Sequence, residues 1–216
     1  MSSSFHPTPR TLMGPGPSDV HPRVLGAMAK ATIGHLDPEF IALMEDIKDL
    51  LRYTFRTENK LTLPLSAPGS AAMEASFANL VEAGDKVIVC INGVFGMRMA
   101  ENVRRMNGEL VTVEDEWGTQ VDPEKVEAAL KANPDAKILA FVHAETSTGV
   151  RSDAQTLCAL AEQYGCLSIV DSVTGLAGIE LEVDAWKADV TYSGTQKCLS
   201  APPGISLITF SDKAAA

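Results

Sequence analysis

Lys197 stands inside T-Y-S-G-T-Q-K-C-L-S-A-P-P-G-I-S (191–206), between the end of an apolar segment and a Pro-Pro-Gly stop. Partial desolvation lowers an ammonium pKa, so a lysine at the end of a buried strand is suited to forming a Schiff base with an aldehyde. Asp171 directly follows L-S-I-V (167–170) and opens D-S-V-T-G. A carboxylate behind an apolar run is costly to bury unless it meets a cation or a strong donor. One heteroaromatic aldehyde would use both groups, the amine for its carbonyl carbon and the acid to keep a ring nitrogen protonated. Taken singly, each has a plainer reading: a surface lysine in a polar turn and an aspartate capping a turn.

Two more polar stretches follow apolar runs. S-A-P-G-S-A (66–71) leads into a helical pattern, and free N–H groups at a helix N-terminus favour a phosphate. It lacks the G-x-x-x-x-G-K-[ST] spacing of a P-loop, and a simple cap would explain it too. H-A-E-T-S-T-G (143–149) gathers the hydroxyls of Thr146, Ser147 and Thr148 in one turn, where they could face a polar ligand.

These residues need a scaffold, and hydropathy spacing supplies one. Strands are expected over 61–65, 86–91, 109–113, 137–142, 167–170, 188–192 and 206–210. Between them, helices are expected over 71–82, 96–106, 122–131 and 153–164, after two earlier ones over 22–31 and 39–55. Ser18-Asp19 is expected to cap the first helix, and Gly84 to end the one over 71–82. Strands alternating with crossover helices imply an α/β protein with a mostly parallel sheet, which binds ligands at the carboxyl ends of its strands. Residues 1–17, rich in Ser, Pro and Gly, read as an extended arm laid over another surface.

Composition excludes several partners. A net charge of −10, from 28 acidic and 18 basic residues, argues against nucleic acid and anionic membrane surfaces. The four cysteines are widely spaced and form no C-x-x-C, so neither a zinc or other metal site nor a disulfide framework is expected. With no apolar leader and no long unbroken apolar run, the expectation is a cytoplasmic protein free of membrane anchors.

D-S-V-T-G-L-A-G (171–178) followed by Y-S-G-T-Q-K-C-L-S-A-P-P-G-I-S (192–206) resembles the pyridoxal 5′-phosphate site of class V aminotransferases, in particular the alanine–glyoxylate and serine–pyruvate group. G-P-G-P-S (14–18), G-H-L-D-P-E-F (34–40), the segment 66–75, N-G-V-F-G (92–96) and H-A-E-T-S-T-G-V (143–150) extend the resemblance along the chain in the family's order. It implies a fold-type I large domain over 21–216, preceded by an arm over 1–20. It further implies transfer of an amino group from alanine or serine to a 2-oxo acid such as glyoxylate or pyruvate, in a homodimer.

By the same resemblance Lys197 would bind the cofactor covalently and shuttle a proton, while Asp171 would pair with the ring nitrogen. Gly69, Ser70 and Ala71, with Gln196, would hold the phosphate. Phe95, where some members have tryptophan, would stack on the ring, Val173 would pack on its opposite face, and Thr146 would lie nearby. Gly16, in the arm, would lie close to the substrate. Relatives continue into a smaller C-terminal domain that supplies a carboxylate-binding arginine, so a missing C-terminal segment or a second polypeptide is expected as a partner. Alternatives that share the constellation are ureidoglycine–glyoxylate transamination, cysteine desulfuration and a lyase reaction; a non-catalytic dimerising module is a further one.

Overall fold

A computed structural model describes residues 4–216. The elements run α1 (Pro22–Met28), α2 (Pro38–Phe55), β1 (Leu61–Leu65), α3 (Gly69–Leu80), β2 (Lys86–Ile91), α4 (Val94–Arg105) and β3 (Glu109–Glu114). They continue with α5 (Pro123–Ala132), β4 (Ile138–Val142), β5 (Ala144–Glu145), β6 (Val150–Arg151), α6 (Ala154–Gln163), β7 (Leu167–Asp171), β8 (Val190–Gly194), β9 (Ser206–Phe210) and α7 (Asp212–Ala215). Seven strands form one sheet in the order β1-β9-β8-β7-β4-β2-β3. The pairs from β3 through β8 are parallel, whereas β9 and β1 join antiparallel.

Helices cover both faces, so central strands read as unbroken apolar runs; every residue of I-L-A-F-V in β4 is buried. Phe55, Phe141, Leu157, Val170 and Leu176 belong to one apolar cluster. Phe77, Val89, Met99, Tyr192 and Ile208 belong to the other. Helices α2, α5 and α6 begin at side-chain caps. Asp37, Asp122 and Asp153 each accept a first-turn N–H, and the first two stand just before a proline that fits the start of a helix.

Several boundaries differ from expectation. The cap of α1 is the His21 side chain, which accepts from the Arg23 N–H; Asp19 instead accepts from the Leu12 N–H at 3.4 Å. That helix ends at Met28, short of residue 31, and it buries no residue, so packing does not prolong it. α3 takes in Gly69 and Ser70 and ends at Leu80, well before Gly84. β8 runs on to Gly194, because β9 keeps pairing with it through Gly194 and Ser206. The hydroxyl-rich turn after β4 is a small hairpin, β5 paired with β6.

Two parallel strands, β4 and β7, finish level with one another, and β8 runs two residues beyond them. Val142 of β4 pairs with Asp171 of β7, and Asp171 with Tyr192 of β8. The chain leaving β8 then carries Gln196 and Lys197 across this edge. Among the described residues no helix is long and apolar enough to cross a membrane, and no cluster of three His, Cys, Asp or Glu side chains is arranged to hold a metal.

Candidate active site

Asp171 closes β7 and is 2% exposed. Its Oδ1 accepts the Val173 N–H at 2.9 Å and its Oδ2 the Tyr192 hydroxyl at 2.9 Å. Burial pushes its pKa up to about 6; those two donors act against the rise, Glu145 adds to it, and Lys197 opposes it.

Lys197 is placed by the turn after β8. Its Nζ donates to the Pro15 carbonyl at 2.9 Å, so the N-terminal arm passes directly over the amine. Burial holds its pKa below the ordinary lysine value, with Asp171 and Cys198 pulling the other way. The arm comes this close only because Gly16 has no side chain. A Cβ there would stand 2.6 Å from Lys197 Cδ and 2.9 Å from the Gln196 carbonyl, and its φ of +121° is strained for any other residue.

A cavity of about 150 Å³ joins these groups, lined by Pro68, Gly69, Ser70, Met73, Phe95, Arg98, Asp171, Val173, Gln196 and Lys197. One wall is the start of α3, whose N-cap residue Pro68 gives no side-chain hydrogen bond. The first-turn N–H groups and the helix dipole therefore present positive potential at this wall. Gly69 allows the helix to close on Val173: a Cβ would meet Val173 Cγ2 at 3.2 Å. The Gln196 Oε1 is buried without a partner among the described residues.

Another part of the wall, Phe95 and Arg98, comes from α4. Buried Glu145 takes the place of an anion at that helix start, accepting the Phe95 N–H at 3.1 Å, the Gly96 N–H at 3.4 Å and the Ser147 hydroxyl at 2.7 Å. This interlock depends on Gly93, since a Cβ there would lie 2.4 Å from Glu145 Cγ. It sets the position of Phe95, whose ring carries the Arg98 guanidinium 4.8 Å from its centroid.

The structure thus brings Gly69, Ser70, Phe95, Asp171, Val173, Gln196 and Lys197 to one cavity, with Gly16 against Lys197. Ala71 and Thr146 stand outside its wall. The Ala71 N–H is already bonded to the Pro68 carbonyl at 2.8 Å, and the Thr146 hydroxyl pairs with that of Thr174. Sequence reasoning assigned no role to Met73, Arg98, Glu145 or Tyr192. Cross-strand register and helix facing bring these four in, and neither leaves a local motif. Larger hollows lie elsewhere, two of them, about 450 and 500 Å³, sharing Tyr53 and Arg56, but neither Lys197 nor Asp171 lines them.

Chemically, a partly desolvated amine, a buried acid and an uncapped helix start surround a space open to a flat ring. Such a site can hold an aldehyde-bearing aromatic anion and move protons beside it. The fold and this site define a chain built like the large domain of a fold-type I transferase. The model of the class V aminotransferases matches residues 13–216, and the chain belongs to that family.

It is 42% identical over 205 residues to alanine–glyoxylate aminotransferase of Mus musculus, covering 95% of this chain and 49% of that protein. The crystal structure of alanine–glyoxylate aminotransferase from Nostoc sp. superposes with a TM-score of 0.97 at 43% identity, over 100% of this chain and 57% of that one. Ureidoglycine–glyoxylate aminotransferase of Bacillus subtilis superposes at 0.96 and 37% identity, over 99% and 55%. The chain spans about half the length of the relatives it matches.

Proposed function

We propose that this chain forms the cofactor-holding part of a pyridoxal 5′-phosphate-dependent aminotransferase that passes an amino group from a small amino acid to a 2-oxo acid. The observation that carries this reading is that Lys197 and Asp171 line the same cavity as the open start of α3. The relatives in mouse and Nostoc are named for alanine and glyoxylate, and that in Bacillus subtilis for ureidoglycine and glyoxylate. Glyoxylate, common to all three names, is the acceptor we favour, pyruvate being the alternative. Alanine or serine is the donor we favour, and the Bacillus likeness keeps ureidoglycine as a second reading.

The residues present fit the cofactor. Its phosphate suits the N–H groups of Gly69 and Ser70, and turning the Gln196 amide over would aim its NH₂ where Oε1 now lacks a partner. Phe95 and Val173 offer apolar surfaces to a flat ring, and Asp171 a buried acid to its nitrogen. When bound, pyridoxal phosphate supplies an aldehyde for amines and an electron-poor ring that stabilises a neighbouring carbanion.

The chain's own residues do the rest. Asp171, ionised beside a cationic ring nitrogen, keeps that nitrogen protonated; the ring charge in turn offsets the burial that now favours the neutral acid. Lys197, with its pKa already depressed, takes and returns the proton at the substrate's Cα. The arm at Pro15 and Gly16 passes over the amine and fixes its position through the Pro15 carbonyl.

Residues 1–20 as the arm and 21–216 as the cofactor-binding domain, a homodimer, and a cytoplasmic location belong to the same proposal. Apolar side chains exposed on α1 and α2, among them Leu25, Met28, Ile41 and Leu50, support association. Free Cys90, Cys158, Cys166 and Cys198 suit a reducing compartment.

The test is direct. Purified protein mixed with pyridoxal phosphate should gain a visible absorption band that borohydride traps on Lys197 and that Lys197→Ala abolishes. A band that survives in Lys197→Ala would sink the assignment. Offering alanine, serine, ureidoglycine and cysteine with glyoxylate then separates transamination from desulfuration.

A further inference from the structure

We propose that Tyr192 is a positioning residue for Asp171: its hydroxyl fixes the carboxylate toward the cavity and favours the ionised form. The inference rests on the proposed role of Asp171 as partner of a cationic ring nitrogen. It starts from register. Tyr192 of β8 and Asp171 of β7 are direct cross-strand partners, and Tyr192 is completely buried. The phenol ring is held in an apolar cluster with Ile169, Val190 and Ile208, so the position of its hydroxyl is set by core packing.

That hydroxyl donates to Asp171 Oδ2 at 2.9 Å while the Val173 N–H donates to Oδ1 at 2.9 Å. With one donor on each oxygen, the carboxylate cannot turn without breaking a bond. Each oxygen also keeps a lone pair for a further donor from the cavity that Asp171 lines.

The charged and titratable surroundings show why a donor is needed here. Glu145 of β5 is a second buried acid whose field disfavours a charge on Asp171. Lys197, in the turn after β8, acts oppositely, but its Nζ is bonded to Pro15. Arg98 of α4 lines the same cavity. His143, following β4, donates its backbone N–H to the Asp171 carbonyl, and its buried ring favours the neutral form. Of the two hydrogen bonds to the carboxylate, the one from Val173 is given by the backbone and does not depend on that residue's side chain. Tyr192 gives the side-chain bond that a mutation can remove. Hydrogen bonding to the charged form of an acid favours ionisation, and the phenol hydroxyl acts in this way.

The experiment follows Asp171 by the carboxyl ¹³C shift in cofactor-free protein across pH, with Asp171→Asn identifying the resonance. Tyr192→Phe keeps the ring and removes the donor. Its Asp171 midpoint should rise by about one pH unit, a tenfold gain in proton affinity. An unmoved or lowered midpoint in folded Tyr192→Phe overturns the proposal. If that variant does not fold, ring-fluorinated tyrosine at 192, a stronger donor, should lower the midpoint, and no change there overturns it equally. A parallel arm adds pyridoxal phosphate to the unmodified protein. Failure to bind sinks the functional reading of the site and leaves the Tyr192–Asp171 coupling to stand or fall on its own titration.

Discussion

The carboxyl ends of β4 and β7 lie side by side, and each is followed or closed by a buried titratable side chain. His143 comes just after β4, with both ring nitrogens lacking partners among the described residues and its edge set against Trp186, ring centroids 5.7 Å apart. Asp171 closes β7, with a donor on each oxygen and a cavity in front of it. Burial drives both toward neutrality, His143 down to about 4 and Asp171 up to about 6. Desolvation therefore does not mark the functional group. The distinction is that donors converge on Asp171 and hold an ionisable form facing an open space, whereas His143 is buried against Trp186 with no donor or acceptor aimed at its ring among the described residues.

The largest effect that bears on this contrast is on turnover. If the proposed transamination holds, Asp171→Asn should leave pyridoxal phosphate bound yet slow the half-reaction by about 10² to 10⁴-fold, the rate equivalent of removing one partner from a buried ion pair. His143→Phe should change it by less than about tenfold, since nothing in the cavity is lost. Stopped-flow absorbance on both variants decides the matter; equal losses would erase the distinction between the two strand ends.

A smaller effect appears in stability, with opposite signs at the two sites. The folded pKa of Asp171 is raised, so its contribution is complete below about 3.8 and is lost as pH climbs through about 6. The folded pKa of His143 is depressed, so its contribution is present above 6.5 and is lost as pH falls through about 4. Each swing is on the order of 3 kcal/mol at 1.36 kcal/mol per pKa unit, and in the unmodified protein they oppose one another between pH 4 and 6. Urea unfolding of cofactor-free protein should show Asp171→Asn gaining stability relative to the unmodified chain as pH rises through that window. His143→Phe should gain relative stability as pH falls through it. Parallel curves for all three proteins would remove the physical basis of the comparison.

Much of this was legible beforehand. The strands Leu61–Leu65, Lys86–Ile91 and Ser206–Phe210 end where the apolar runs end, because flanking turns and caps state their own chemistry locally. Lys197 and Asp171 stood out for the same reason, each following an apolar strand. Their placement on one cavity was an inference from topology. Tyr192 and Glu145 escaped notice because their roles depend on contacts far away in sequence, such as the pairing of Asp171 with Tyr192 and the fit of Glu145 against Gly93. A tyrosine in an apolar strand and a glutamate in a polar turn look ordinary until register is known. The β5–β6 hairpin stayed hidden because two-residue strands show no alternation.

The finest test of the contrast lies in the arm, which reaches Lys197 and leaves the His143 side untouched. Gly14 and Gly16 flank the same proline, yet a Cβ on Gly14 would meet nothing within 4 Å while one on Gly16 would strike Lys197 and the Gln196 carbonyl. Gly16→Ala must also hold a φ of +121°, so strain and overlap together push the arm away from the amine. The Lys197–Pro15 bond is then broken and Nζ loses the carbonyl that positions it. Because the arm is largely exposed, unfolding stability should hardly change, but kcat/KM should fall by about tenfold, or about 1.4 kcal/mol of transition-state stabilisation. Gly14→Ala should match the unmodified protein in both measurements. A loss shared by the two variants would mean that the arm acts through its flexibility alone; a loss confined to Gly16→Ala ties it to the lysine at the β8 end of the sheet.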